Sequence, residues 1–295
     1  MNKLLTATLT SAFLLLGAAK ASALTVLYDG SAGNFPTNQG WFSNGTGSQS
    51  FSSGGTILDT NGSSGTDFSI RTGYARTPGL APLGVSLDAN SGFNLRFDLE
   101  LLNEARNSAA SNNTAVDNTD DRAGLSITVI SSDASKAIEL GFWTDRIWAQ
   151  QDGAVKADPS TTNLNPPTPI SPSGTRFTQA EGAAFNTQSS VNRYDLSFLG
   201  NSYFLYVNGD YSTPLLTGRL RDYRPEAAFG GVSAIYAAPN SVFIGDNTTS
   251  ARGSFRLNQV EYSPTPVPFA FNPLLGFGVI GLTRLRKIIV KRAKR

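Results

Sequence analysis

The chain has 295 residues, a formal net charge of +2, and neither cysteine nor histidine. The missing cysteines exclude thiol catalysis, Cys-zinc sites and disulfides, and the missing histidines exclude Ser-His-Asp and His-metal chemistry. Lys3 and Lys20 lie near the start and seven basic residues crowd positions 284–295, which leaves 15 basic against 22 acidic residues between them. Such an acidic body is a poor nucleic-acid partner, because phosphate contacts need clustered Lys and Arg.

In chain order, residues 1–23 read as a signal peptide. Lys3 supplies the positive start, "SAFLLLGAA" a short apolar core, and Ala21-Ser22-Ala23 an A-x-A site for signal peptidase. The apolar run is too short to span a bilayer. Residues 24–263 form the body, and 264–295 a separate tail. A body of this length suits one large all-β domain that needs no covalent staples.

Inside the body the apolar period is two. "FNLRFDLEL" puts Phe93, Leu95, Phe97, Leu99 and Leu101 on one face and Asn94, Arg96, Asp98 and Glu100 on the other. This is a half-buried antiparallel strand. "LSITVIS" and "AIELGFW" repeat the pattern. The polar run Ala105–Asp121 reads as a loop. Lys156–Thr175, with five prolines, reads as a long surface excursion without a central strand. "RYDLSFLGNSYFLYVNGDYS" predicts a hairpin turning at Gly200-Asn201, its second strand closed by a type I′ turn at Asn208-Gly209. "SVFIGD" and "GSFRLNQVEY" are the last strands. Phe255 and Leu257 take the opposite parity to Val260 and Tyr262, which calls for a bulge near Asn258. Many short strands with Gly-rich turns predict an antiparallel β-sandwich.

Several residues are candidates for function. Asp98 and Glu100 share a strand face. Two carboxylates so placed suit an acid and a nucleophile of a glycoside hydrolase, and equally suit the solvated side of an amphipathic strand. Trp143 and Trp148 are candidates for stacking a glycan or for packing the core; their odd spacing puts them on opposite faces of a regular strand. Arg146 between them, like Arg122 and Arg221, sits beside an acid in sequence and suits a cross-strand ion pair or a sugar contact. Calcium is the metal this composition permits, through oxygen ligands at Asp117, Asp120 and Asp121 in one loop and at Asp246 in another. The same residues serve turn chemistry equally well.

The tail begins "VPFAFNPLLGFGVIGL". From Val267 to Thr283 it is 17 residues, the short edge of a membrane span. The basic residues that follow, Arg284, Arg286 and Lys287 among them, place the C-terminus in the cytoplasm and the body outside the inner membrane.

The hairpin ending in "YVNG" resembles concanavalin A-like and laminin-G-like jelly rolls, which implies that sandwich topology and a precedent for calcium. The body resembles the choice-of-anchor Y domain through "VLYDGSAGNFPTNQGW", "DRAGLSITVI", "IELGFWTDRIWAQ", "LTGRLRDY" and "FIGDNTTSARGSFRL". That family name describes an architecture and implies no activity. The tail resembles the cyanobacterial PEP-CTERM sorting signal, with Val267, Pro268 and Phe269 opening it, Pro273 following and Ala270 where an acidic residue is usual. The resemblance implies an exosortase-type processing enzyme and cleavage near Pro266–Phe269. The resulting expectation is an exported, non-enzymatic surface or matrix protein that is structural or binds polysaccharide weakly; the alternative is a carbohydrate-active enzyme using Asp98 and Glu100.

Overall fold

A computed structural model describes residues 24–61, 70–106, 122–151, 155–156, 168–169, 178–224, 234–248 and 251–267. Residues 1–23, read above as a signal peptide, and residues 268–295 of the tail lie outside them. Within the described residues no helix is long and apolar enough to cross a membrane.

Alternation along one long strand sets the architecture. Strand β6 (Phe93–Arg106) turns Phe93, Leu95, Phe97, Leu99 and Leu101 into the core, where all five are buried. The strand outruns its sequence pattern. Ala105 and Arg106, assigned to a loop by composition, still pair with Arg252 and Ala251. A ladder partner holds residues extended whatever their polarity.

Sheet 1 runs β15 (Leu216–Arg219), β14 (Ser202–Val207), β13 (Asn192–Leu199), β6, β17 (Ala251–Ser263), β4 (Gly55–Asp59) and β3 (Ser48–Ser52), and β1 (Thr25–Asp29) also pairs with β17. Sheet 2 runs β12 (Thr178–Ala184), β9 (Arg146–Gln151), β8 (Ala137–Phe142), β7 (Ser126–Ile130), β16 (Ser241–Asp246), β5 (Thr72–Arg76) and β2 (Phe42–Gly45). Neighbours are antiparallel throughout. Inside the long excursion, β10 (Val155–Lys156) and β11 (Thr168–Pro169) form a minimal ladder of their own. Residues Leu24–Pro266 make one compact unit.

The core is the space between the sheets. Sheet 1 contributes Phe97, Leu99, Tyr194, Leu196, Leu205 and Phe255; sheet 2 contributes Ile127, Ile138, Leu140, Ile147 and Ile244. Phe142 of sheet 2 meets Tyr194 of sheet 1 edge to face at 5.3 Å, an arrangement that aromatic quadrupoles favour. The expected bulge is present: Leu257 faces Leu99 and Gln259 faces Asp98, so Asn258 is the extra residue. It returns Val260 and Tyr262 to the core side. The Gly200-Asn201 turn joins β13 to β14 with positive φ at Gly200, and both Asn208 (φ 53°) and Gly209 (φ 76°) adopt the left-handed region required by a type I′ turn.

One expectation is corrected. The strands of "LSITVIS" and "AIELGFW" read as half-buried, yet Ser126–Ile130 and Ala137–Phe142 are buried along their whole length. Side chains from outside the sheet cover their outer face, as described below.

Because Phe97 is 1% exposed and Val26 is 52% exposed, their truncations separate cleanly. In urea denaturation, Phe97→Ala loses about 3–5 kcal/mol, whereas Val26→Ala stays within about 0.5 kcal/mol of the parent.

Candidate functional site

The two sandwich faces that turn away from the core are built differently. On sheet 1 the outward residues of β6 lie beside those of β13 and β17, and their charges are paired. Asp195, fully buried, accepts from Arg96 Nε at 3.1 Å, Asn94 Nδ2 at 3.0 Å, Arg193 Nε at 3.2 Å and the Tyr211 hydroxyl at 3.0 Å. Arg96 also reaches Glu261 at 2.7 Å, and Glu100 is held by Arg256 at 2.8 Å. Asp98 lies in register between Arg193 and Gln259. Burial raises its pKa above the ordinary carboxylate value, against the pull of Arg96 and Arg193, and its Oδ1 finds no hydrogen-bond partner. Asp98 and Glu100 thus share a face, as their spacing requires. Glu100 is committed to a cross-strand ion pair.

On sheet 2 the registers define an outward row across five strands, Phe42, Ala75, Phe243, Thr128 and Glu139; beyond it the Tyr223 hydroxyl bridges the Glu139 amide and the Gln150 carbonyl, and Gln150 pairs with Gln179. A second row alongside carries Asn44, Gly73, Gly245, Ser126, Gly141, Trp148 and Gly182. The glycines in it make room for neighbours. A Cβ on Gly141 would lie 2.5 Å from the Trp148 ring, one on Gly73 would lie 2.3 Å from the Phe243 ring, and one on Gly182 would meet the Arg146 guanidinium at 2.4 Å.

Trp143 and Trp148 do not take opposite sides. Trp143 lies past the end of β8, in the turn to β9, so strand parity does not govern it. The two rings pack at 4.3 Å and both are buried, with Ala123 beside them. Trp143 Nε1 donates to the Arg122 carbonyl at 3.0 Å. At the other end of the face, Tyr223 and Tyr236 pack over Ile130 and Ala137. Between these clusters lies Glu139, fully buried. It accepts from the Tyr236 hydroxyl and from Asn247 Nδ2 at 3.1 Å, and faces Arg122 at 3.6 Å, whose NH2 also donates to Asn247 Oδ1 at 2.9 Å. Tyr223 donates to the Gln150 carbonyl at 2.7 Å. In contrast, Thr128 Oγ1, Gln150 Nε2 and Trp148 Nε1 are buried without a hydrogen-bond partner. Arg146 lies at the rim of this face, its Nε also lacking a partner.

Arg122 and Arg221 ion-pair across elements, with Glu139 at 3.6 Å and with Glu181. Asp246 is 1% exposed. It accepts from Thr60 Oγ1 at 2.6 Å and from the Thr248 amide at 3.0 Å. Burial pushes its pKa up to about 8, and Thr60 and the Thr248 amide engage its two oxygens. Among the described residues no three carboxylates gather as a metal set; Asp117, Asp120 and Asp121 lie outside them. Sequence reading missed Glu139, Gln150, Thr128 and Phe243. The one available signal was a lone acid, Glu139, within an otherwise apolar strand.

No family model and no curated protein matches the sequence. Solved structures align with most of the chain at low similarity. A conserved carbohydrate esterase from Shiga toxin-encoding bacteriophage phi24B is 14% identical at a TM-score of 0.46, covering 81% of this chain and 98% of that one. A galectin-like protein of unknown function from Bacillus subtilis is 10% identical at 0.44, covering 83% and 98%. The potassium-bound carbohydrate recognition domain of Emp46p is 10% identical at 0.43, covering 82% and 97%. At such values the likeness carries no argument about this chain, and the activities of those proteins stay theirs.

The Asp246 carboxyl makes stability pH-dependent. Its folded pKa of about 8 lies above the ordinary 3.8, so its stabilising contribution is complete below pH 4 and is lost as pH rises towards 8. Thermal unfolding midpoints are expected to fall from pH 5 to pH 9 in the parent and to flatten in Asp246→Asn; equal slopes for the two would refute the assignment.

Proposed function

We propose that this chain is an exported, non-enzymatic β-sandwich of the cell surface or extracellular matrix, which holds polysaccharide on the outer face of sheet 2. The carrying observation is the set of buried, unpartnered groups there: Thr128 Oγ1, Gln150 Nε2 and Trp148 Nε1. Each such group costs roughly 1–3 kcal/mol when left unsatisfied. They lie beside aromatic rings, and a hydroxyl-rich ligand is one that could supply the missing partners. The outer face of sheet 1 pairs most of its charges and leaves Asp98 Oδ1 and Arg256 Nε without a partner.

The jelly-roll topology of concanavalin A-like and laminin-G-like folds belongs to the same reading. It is supported by the pairing of β6 with β17 and of β7 with β16, strands far apart in sequence that interleave at the centre of both sheets. The cellular destination rests on the amino-terminal apolar run with its A-x-A site, and on the tail from Val267 through Pro273 to Arg284, Arg286 and Lys287. Signal peptidase and an exosortase-type enzyme are the processing partners. Calcium belongs to this proposal through oxygen ligands at Asp117, Asp120 and Asp121 or at Asp246, whose oxygens also accept from Thr60 and the Thr248 amide.

A second reading, a glycoside hydrolase, draws on the burial-raised carboxyl of Asp98 beside the ion-paired Glu100. A glycan array separates the two. Binding by the parent that weakens several-fold in Gln150→Leu supports the binding face. A blank array, together with reducing ends released from β-glucans and lost in Glu100→Gln, would transfer the function to sheet 1. For the tail, mass spectrometry of the mature protein is expected to find a terminus near Pro266–Phe269; peptides beyond Leu274 would show a permanent anchor.

A further inference from the structure

Sheet 1 ends in an open edge. Strand β3 is its last strand, beyond β4, and all five of its residues are exposed. A two-residue turn of Ser53 (φ 53°) and Gly54 (φ 73°) joins β3 to β4 and closes on the pair Ser52 and Gly55. A type I′ hairpin of this kind closes on a hydrogen-bonded pair, and such pairs recur at every second residue. The bonded positions are therefore Ser52, Ser50 and Ser48, opposite Gly55, Ile57 and Asp59. The backbone N–H and C=O groups of Gln49 and Phe51 point the other way, out of the sheet.

Sheet edges are commonly guarded by a charge, a proline or a bulge. Strand β3 has none of these: its residues are Ser-Gln-Ser-Phe-Ser, and its register with β4 is unbroken. At the other side of the sandwich, β12 carries a register shift and lies against β15.

Symmetry and charge select the partner. The four free backbone groups stand evenly about Ser50. Two copies of β3, antiparallel about a two-fold axis at Ser50, set Gln49 of each opposite Phe51 of the other, and every free group is then bonded. The neighbouring registers would bring in Ser53, held at positive φ by its turn, or Gly47, whose N–H already donates to the Arg71 carbonyl. The body carries 22 acidic against 15 basic residues, so two copies repel over most of their surface. Residues 30–58, which include β3, hold no charged side chain, and there the repulsion is least.

We propose that β3 is a self-association edge, through which two copies of this chain join antiparallel about a two-fold axis at Ser50 into one continuous sheet. Ser50 then faces Ser50 of the second copy in a non-hydrogen-bonded pair, with Cα atoms about 4.5 Å apart, and Ser48 faces Ser52. This pairing does not depend on the polysaccharide reading.

Disulfide trapping in the full chain tests it, because the sequence has no cysteine and each introduced thiol is the only one present. Under mild oxidation Ser50→Cys should form a covalent dimer at least about tenfold faster than Ser48→Cys or Ser52→Cys, whose equivalent positions would lie about 13 Å apart, too far for a bridge. Mixing the Ser48→Cys and Ser52→Cys chains should restore fast cross-linking between them. Phe51→Pro, added to Ser50→Cys, removes an outward N–H and leaves the bonds to β4; it should slow the reaction to the control rate. Phe51→Ala trims the same ring, keeps the N–H and should retain the fast rate, with a thermal midpoint matching that of Phe51→Pro. A ranking in which Ser50→Cys is not the fastest of the three would overturn the proposal, as would a mixture that links no faster than its components. Fast linking that survives Phe51→Pro would place the contact elsewhere, and equal loss in Phe51→Pro and Phe51→Ala would assign it to the ring; either result sinks the backbone pairing.

Discussion

The pairing of β6 with β17 is the contact on which the rest of the molecule depends. It runs from Asn94 opposite Ser263 to Arg106 opposite Ala251, and joins segments some 150 residues apart in sequence. Closing so long a loop is entropically costly. The offsetting term is burial: Phe93, Leu95, Phe97, Leu99 and Leu101 on one strand meet Phe255, Leu257, Val260 and Tyr262 on the other in a single core. The bulge at Asn258 keeps that match, because without an extra residue Val260 and Tyr262 would point outward. The β4 and β1 strands then add to β17, and β13 adds to β6.

The outer faces follow different electrostatic solutions. Sheet 1 keeps many charges at partial exposure and pairs them across strands, so that Asp195 is buried only because two arginines, an asparagine and a tyrosine surround it. Sheet 2 draws aromatic side chains over its face and thereby buries Glu139. A lone buried carboxylate would be severely penalised; Arg122, Asn247 and Tyr236 make it tolerable. The glycines of the second outward row are part of this arrangement, since only a residue without Cβ lets the Trp148 ring approach Gly141. What this covering leaves unfinished, at Thr128, Gln150 and Trp148, is the basis for reading the face as functional.

Much of the sandwich is legible in the sequence, because a pleated strand with one buried face must alternate. Phe93–Leu101 announced its inner and outer sides, the parity change before Val260 called for a bulge, and Asn208-Gly209 specified its turn through the positive φ both residues adopt. The candidate site was far less legible. Asp98 and Glu100 were visible as a pair on one face, but the ion pair of Glu100 with Arg256 depends on which strand lies alongside. Trp143 and Trp148 were read as facing opposite sides of a regular strand, yet both are buried and pack on each other, since a parity rule for strands says nothing about a residue in the turn beyond one.

The sequence by itself determined the local grammar: which segments extend, where they turn, which side faces inward, and that cysteine and histidine chemistry are absent. These follow from properties of neighbouring residues. Only the tertiary structure decided that β7 and β8 are buried on both faces, and that Phe42, Phe243, Thr128 and Glu139 stand in one row. Such a row is set by inter-strand register between segments far apart in the chain, and register is a property of the assembled sheet.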